Sequence, residues 1–221
     1  MLKTSVSDAE ADQREAEREA RMLADDERER HQKASTLWGK SQVPSRHAAF
    51  EIPVEGPWRE EYDHLKEKIG TGFLYVIMGN RGTGKTQLGT ALIGRCCFKL
   101  LRPAMYIKAL DIFIALREAY RKEGDAESQV INRFIKPKLL VIDAMEERGE
   151  TPFEDRLLNH IIDKRYDNMD DTLLITNQTP EAFVTSAGPS IISRIHETGD
   201  KIVCDWTSFR TKPAAALVGT P

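Results

Sequence analysis

Residues 79 to 86 read Gly-Asn-Arg-Gly-Thr-Gly-Lys-Thr. Every fixed position of the pattern G-x-x-x-x-G-K-[ST] is filled, and the flanks suit it. Phe73 to Met78 is an apolar run of strand length. Gln87 to Leu100 places Leu88, Ala91, Leu92 and Phe98 at helical spacing. A strand, a glycine-rich turn and a helix N-terminus make an anion cradle, because backbone N–H groups and the helix dipole both face it. The segment therefore predicts a nucleotide-phosphate site formed by Gly79, Asn80, Arg81, Gly82, Thr83, Gly84, Lys85, Thr86 and Gln87. Lys85 is expected to reach the β- and γ-phosphates of ATP, and Thr86 to hold Mg²⁺. A chance glycine-rich turn is the plain alternative, and the strand and helix around it argue against that.

The chain has 221 residues, enough for one α/β domain and an extension. No apolar run approaches the ~20 residues of a membrane span, and the N-terminus lacks a signal peptide's apolar core. A cytoplasmic protein with no membrane partner is expected. The net charge of −3 gives no global basic field, so any DNA contact must come from a local patch. Cys96 and Cys97 are adjacent and Cys204 is distant. No metal-ligand spacing joins them, and they read as buried, reduced thiols.

Ser7 to Ala34 is rich in Glu, Arg, Asp and Ala, without Pro or Gly. Glu10–Arg14 and Glu17–Arg21 sit at i,i+4, and Ser7 with Glu10 resembles a capping box. The apolar stripe is thin, so a solvated helix is predicted. It reads either as a charged tail or as a docking helix for a partner protein. Residues 1–57 are taken as this helix plus a Pro-bearing linker over 35–57. Residues 58–212 are taken as the core and 213–221 as a flexible tail. Within the core, strands are expected at 73–78, 103–108, 138–143, 172–176 and 201–204. Helices are expected at 58–69, 87–100, 111–122 (ended by Gly124), 128–135, 152–168, 180–186 and 189–196. Apolar strands separated by helices predict an α/β fold with a parallel five-stranded sheet between helices.

Lys138 to Asp143 is an apolar strand ending in Asp, the Walker B form, and Asp143 would share Mg²⁺ with Thr86. Many such enzymes follow that Asp with a Glu that orients the attacking water. Here the position is Ala144, with Glu146 and Glu147 close behind. Which of the two replaces the missing carboxylate stays open, and weak ATPase turnover is expected. Asn177 closes the fourth strand, where an amide can sense the γ-phosphate or cap a turn. Arg194, in Ser193-Arg194-Ile195, can reach a neighbouring subunit's γ-phosphate or form a surface salt bridge.

The order of these elements resembles the AAA+ ATPases and, more narrowly, the DnaC/IstB-type helicase loader family, over roughly residues 35–212. Leu37-Trp38-Gly39-Lys40-Ser41-Gln42-Val43-Pro44-Ser45-Arg46 with Phe50 is similar to that family's segment ahead of the core. Ala109-Leu110-Asp111-Ile112, Ile161-Ile162-Asp163-Lys164-Arg165-Tyr166, Leu174-Ile175-Thr176-Asn177 and Ser193-Arg194-Ile195 are further points of likeness. Asp205-Trp206-Thr207-Ser208-Phe209-Arg210 resembles the closing W-x-S-[YF]-R of the DnaC branch. The resemblance implies an AAA+ P-loop NTPase without a separate C-terminal lid domain. It implies a bacterial or phage-encoded protein that loads a hexameric DnaB-type replicative helicase onto single-stranded DNA, gripping it through the N-terminal region, with ATP as the assembly switch. It also implies self-oligomers with ATP between Lys85 of one subunit and Arg194 of the next. Lys85, Asp143, Asn177 and Arg194 are then the catalytic set.

DNA contacts are expected between Lys108 and Lys136, at Arg117, Arg121 and Lys122. Tyr106, Phe113, Tyr120 and Phe134 among them suit base stacking. The competing reading makes these aromatics core and the charges a solvated face. Two rival functions stand beside loading: an IstB-like transposition helper ATPase on duplex DNA, and a non-hydrolysing ATP-binding adaptor.

Overall fold

The computed structural model describes residues 4–49, 51–121 and 126–210. Phe50, Lys122, Gly124 and residues 213–221 lie outside the described residues. The chain runs α1 (Thr4–Lys40), α2 (Ser45–Ala48), α3 (Pro57–Lys68), β1 (Leu74–Gly79), α4 (Lys85–Phe98), β2 (Ala104–Lys108), α5 (Ala109–Tyr120) and α6 (Ala126–Ile135). It continues through β3 (Leu139–Asp143), a 3₁₀ turn (Met145–Glu147), α7 (Pro152–Asp167), β4 (Asp171–Ile175), α8 (Pro180–Thr198) and β5 (Lys201–Cys204).

All five strands are parallel, in the order β2-β3-β4-β1-β5. The central strands are buried on both faces, which is why they read as continuous apolar runs rather than alternating ones. Alternate residues supply two cores. Val76, Met78, Leu140, Ile142 and Leu174 face α5, α7 and α8. Tyr75, Ile77, Val141, Leu173 and Ile175 face α3 and α4. Cys96, Cys97 and Cys204 are buried free thiols in the second core, and burial pushes the Cys204 thiol up to about 12.

The fully buried Arg165 ties the far end of the sheet together. It donates to the carbonyls of Phe134, Ile135, Pro137 and Asp171 and to the Thr172 hydroxyl. Those of Phe134 and Ile135 end α6, where a helix leaves carbonyls without partners; Pro137 lies in the loop that follows and Asp171 starts β4.

Two departures from the sequence-based expectation have local causes. α1 does not end near Ala34 but runs to Lys40. Its last turns pack on α4: the Trp38 and Phe98 rings lie 5.4 Å apart, and Ala34 is buried. Ser41 then stops it, donating N–H and Oγ–H to the Trp38 carbonyl at 3.0 and 2.7 Å. Secondly, α4 starts at Lys85 itself, with Gly84 as its left-handed cap. The two short helices expected near the end are both present within the span of α8, separated at Gly188 (φ 80°) ahead of Pro189, which lacks the N–H a continuous helix would use.

Candidate nucleotide site

The glycine turn leaves β1 at Gly79 and enters α4 at Lys85, at the carboxyl edge of the sheet. Three successive carbonyls of the turn point away from the cleft. Gly82 O accepts from the Phe209 N–H at 2.9 Å, Thr83 O from Trp206 Nε1 at 2.8 Å, and Gly84 O from Trp58 Nε1 at 3.0 Å. In a trans peptide the C=O and the next N–H point in opposite directions. Fixing these carbonyls outward therefore aims the N–H groups of Thr83, Gly84 and Lys85 the other way, as a phosphate cradle needs. The packing is tight enough to demand glycine. At Gly84 (φ 83°) a Cβ would lie 2.8 Å from Trp58 Nε1, and at Gly82 (φ 90°) it would run into Ser208.

Lys85 Nζ donates to the carbonyls of Gly79 and Asn80, both at 2.8 Å. Burial lowers its pKa, and the neighbouring Cys204, Asp143 and Glu146 oppose that shift. Thr86 Oγ1 donates to Asp143 Oδ2 at 2.8 Å, as does the Tyr106 hydroxyl. Asp143 Oδ1 accepts the Ala144 N–H at 2.7 Å. Burial raises the Tyr106 pKa, and the Asp143 charge raises it further, so the phenol stays a donor. Thr86 and Asp143 thus present hard oxygen donors side by side, the kind of set Mg²⁺ takes together with substrate phosphates. Arg81, Gly82, Gly84, Lys85, Thr86, Gln87, Asp143 and Asn177 all line one cleft of about 400 Å³, with Asn80 and Thr83 in the same loop.

The sheet edge beside Asp143 is organised by Ala144, which takes left-handed angles (φ 55°, ψ 49°) and starts the 3₁₀ turn. Met145 is buried, and the two glutamates emerge on different sides. Glu146 Oε2 accepts the Thr176 hydroxyl at 3.0 Å and the Asn177 N–H at 3.1 Å, while Oε1 accepts the Asn177 side-chain amide. Burial would raise the Glu146 pKa, but these hydrogen bonds and its own backbone N–H outweigh it, and the net shift is downward. Glu147 lines the cleft and stands 3.9 Å from Lys108 Nζ.

His47, Tyr106, Lys108 and Arg210, polar residues of the cleft, escaped the sequence reading as nucleotide-site residues. Lys108 ends β2 and Arg210 follows β5. Ligands of open α/β sheets bind at the carboxyl ends of the strands, and that rule would have pointed to both.

Arg194 lies elsewhere. Its guanidinium pairs with Asp163 of its own chain at 2.8 Å, donates to Ser190 O at 3.0 Å and covers the Tyr166 ring at 5.3 Å. Within one chain this is the salt-bridge alternative. The stacking surface expected between Lys108 and Lys136 is corrected by burial. Tyr106, Phe113 and Phe134 are core residues, because β2, α5 and α6 turn their apolar faces to the sheet. Tyr120 is exposed but donates its hydroxyl to Glu127. Arg117 is bound to the buried Glu154 at 3.1 Å, whereas Arg121 is exposed, and Lys122 is outside the described residues.

A parallel sheet of this order, with the glycine turn after β1 and an aspartate ending β3, is the frame of an AAA+ P-loop NTPase. The chain belongs to the IstB-like ATP binding protein family, whose model matches residues 72–192. It is 27% identical over 153 residues to the replicative helicase loader DnaC of Escherichia coli K12, covering 67% of this chain and 61% of that relative. The chain thus spans about three-fifths of the length of that curated relative. The crystal structure of a DnaC helicase loader superposes with a TM-score of 0.61 at 17% identity, over 72% of this chain and 99% of that one. AMPPCP-bound DnaA from Aquifex aeolicus does so with 0.62 at 22% identity, over 74% of this chain and 51% of its own. Both likenesses concern the fold. No described helix is long and apolar enough to cross a membrane.

Proposed function

We propose that the chain is an ATP-dependent loader of a hexameric DnaB-type replicative helicase onto single-stranded DNA, with slow hydrolysis of ATP. The observation that carries the nucleotide part is the phosphate cradle braced from outside by Trp58, Trp206 and Phe209. The loader part rests on the likeness to DnaC.

In this reading the N–H groups of residues 83–85 hold the phosphates. Lys85 leaves the two carbonyls it now touches for the β- and γ-oxygens, and Arg210 adds positive charge at the mouth. Thr86 and Asp143 hold Mg²⁺, which when bound neutralises phosphate charge. Asn177 senses the γ-phosphate. Arg194 serves a neighbouring subunit, and must first leave Asp163. Arg121 with Lys122, and Arg117 to a lesser degree, meet the DNA backbone by charge rather than by stacking, so that binding falls steeply with salt. α1 grips the helicase, and residues 1–57 act as the partner-docking part beside the core of 58–212.

The test is helicase loading on single-stranded DNA coated with its binding protein, read as unwinding of an annealed strand. Wild type is expected to load with ATP, and Lys85→Ala to fail. Loading by neither, together with filaments on duplex DNA, would favour the transposition-helper reading instead.

A further inference from the structure

Ala144 removes the carboxylate that would follow Asp143, and two glutamates stand close enough to replace it. We propose that Glu147 positions and deprotonates the attacking water, while Glu146 serves only to hold the sensor Asn177. The proposal rests on the hydrolytic reading of the cleft.

Both glutamates follow from the left-handed turn at Ala144, which ends the strand one residue after Asp143. Met145 is buried beneath the turn, and the two glutamates that follow it diverge, one to Thr176 and Asn177 and the other toward Lys108. Glu146 goes toward β4. Both of its oxygens are engaged there, by the backbone and side-chain amides of Asn177 and the Thr176 hydroxyl. To meet a water in the cleft it would have to abandon three donors, and Asn177 would lose the carboxylate that fixes its amide. Leaving such groups unpaired is costly.

Glu147 goes the other way, into the cleft that Lys85, Thr86, Asp143 and Asn177 also line. Its side chain is 45% exposed, and its ion pair with Lys108 is 3.9 Å long, beyond hydrogen-bond length. A carboxylate with spare acceptor capacity, facing the phosphate cradle, is what a water needs. Lys108, at 3.9 Å, restrains its direction. In the step itself the water oxygen bonds to the γ-phosphorus and Glu147 accepts the water's proton. The bond between the γ-phosphorus and the β–γ bridging oxygen breaks, giving ADP and inorganic phosphate.

The test compares Glu147→Gln and Glu146→Gln by phosphate release and by affinity for ATP and for ADP–aluminium fluoride, which binds with an in-line water. Glu147→Gln is expected to keep ATP affinity within about twofold. It should lose about 100-fold in phosphate release, the scale of a general base, and about tenfold or more in affinity for the fluoride complex. Glu147→Gln that releases phosphate and binds the fluoride complex like wild type would overturn the assignment, as would the same selective loss in Glu146→Gln. Wild type that binds ATP, releases no phosphate and prefers ADP–aluminium fluoride no more than ADP would overturn the hydrolytic reading itself.

Discussion

In the nucleotide cleft, three successive carbonyls of the glycine turn are held by two indoles and a backbone N–H, and both oxygens of Asp143 are engaged. Along α1 every side chain from Gln13 to Lys33 is exposed, over about 30 Å of helix. There Arg28–Asp25 at 3.2 Å is a pair open to solvent, a type that contributes little. The hydrogen bonds that hold the cleft come from the protein itself. Among its described side chains the helix is anchored through its last turns, where Ala34 is buried and Leu37 and Trp38 meet the second core. The difference suits a rigid switch joined to an extended arm.

The largest expected effect sharpens the contrast on ligand binding. Lys85→Ala should weaken ATP by about 100-fold, equivalent to about 3 kcal/mol for two lost charge-assisted contacts. Deleting residues 1–33 should leave ATP affinity within about twofold. Titration calorimetry on both proteins decides this, and a large loss in the truncated form would break the comparison.

Stability gives the next contrast. Trp58 is 2% exposed and stacks on Tyr62, so Trp58→Ala should cost about 3–4 kcal/mol in urea unfolding. Leu23 is 66% exposed, and Leu23→Ala should change stability by less than about 0.5 kcal/mol.

A smaller change isolates the brace. Trp206→Phe keeps an aromatic ring, though a smaller one, and removes the donor to Thr83 O. ATP affinity should fall about fivefold, near 1 kcal/mol, with little change in melting temperature.

The smallest effect is in pH. Glu146 has a folded pKa below its ordinary 4.5, so its contribution is complete above that value and is lost as pH falls through the lowered pKa. Wild type should lose melting temperature more steeply than Glu146→Gln below about pH 4.5. Parallel curves would deny that the carboxylate's ties to Asn177 and Thr176 stabilise the fold.

The sequence made the cleft legible where chemistry is local. Residues 79–86 and the apolar run ending in Asp143 specify a turn, a lysine and an acid, and the sheet brings Thr86 to 2.8 Å from Asp143. What escaped it depends on contacts distant in sequence. Nothing near Trp206 or Trp58 announces that their indoles hold a loop 123 and 26 residues away. The aromatics between Tyr106 and Phe134 lie among basic residues in sequence but face the core in space. The length of α1 was under-read because Leu37 and Trp38 belong to the core rather than to the charged pattern before them. Ala144 signalled a missing carboxylate. Only its left-handed angles separate Glu146 from Glu147.

The central claim is that nucleotide in the cleft controls what α1 holds. The most direct measurement is size analysis of mixtures with the replicative helicase, in ATP and in ADP, using the full chain and the chain without residues 1–33. A complex whose population changes between ATP and ADP, and which disappears on deletion, is the predicted result. A complex indifferent to nucleotide, or one that survives the deletion, would contradict the account.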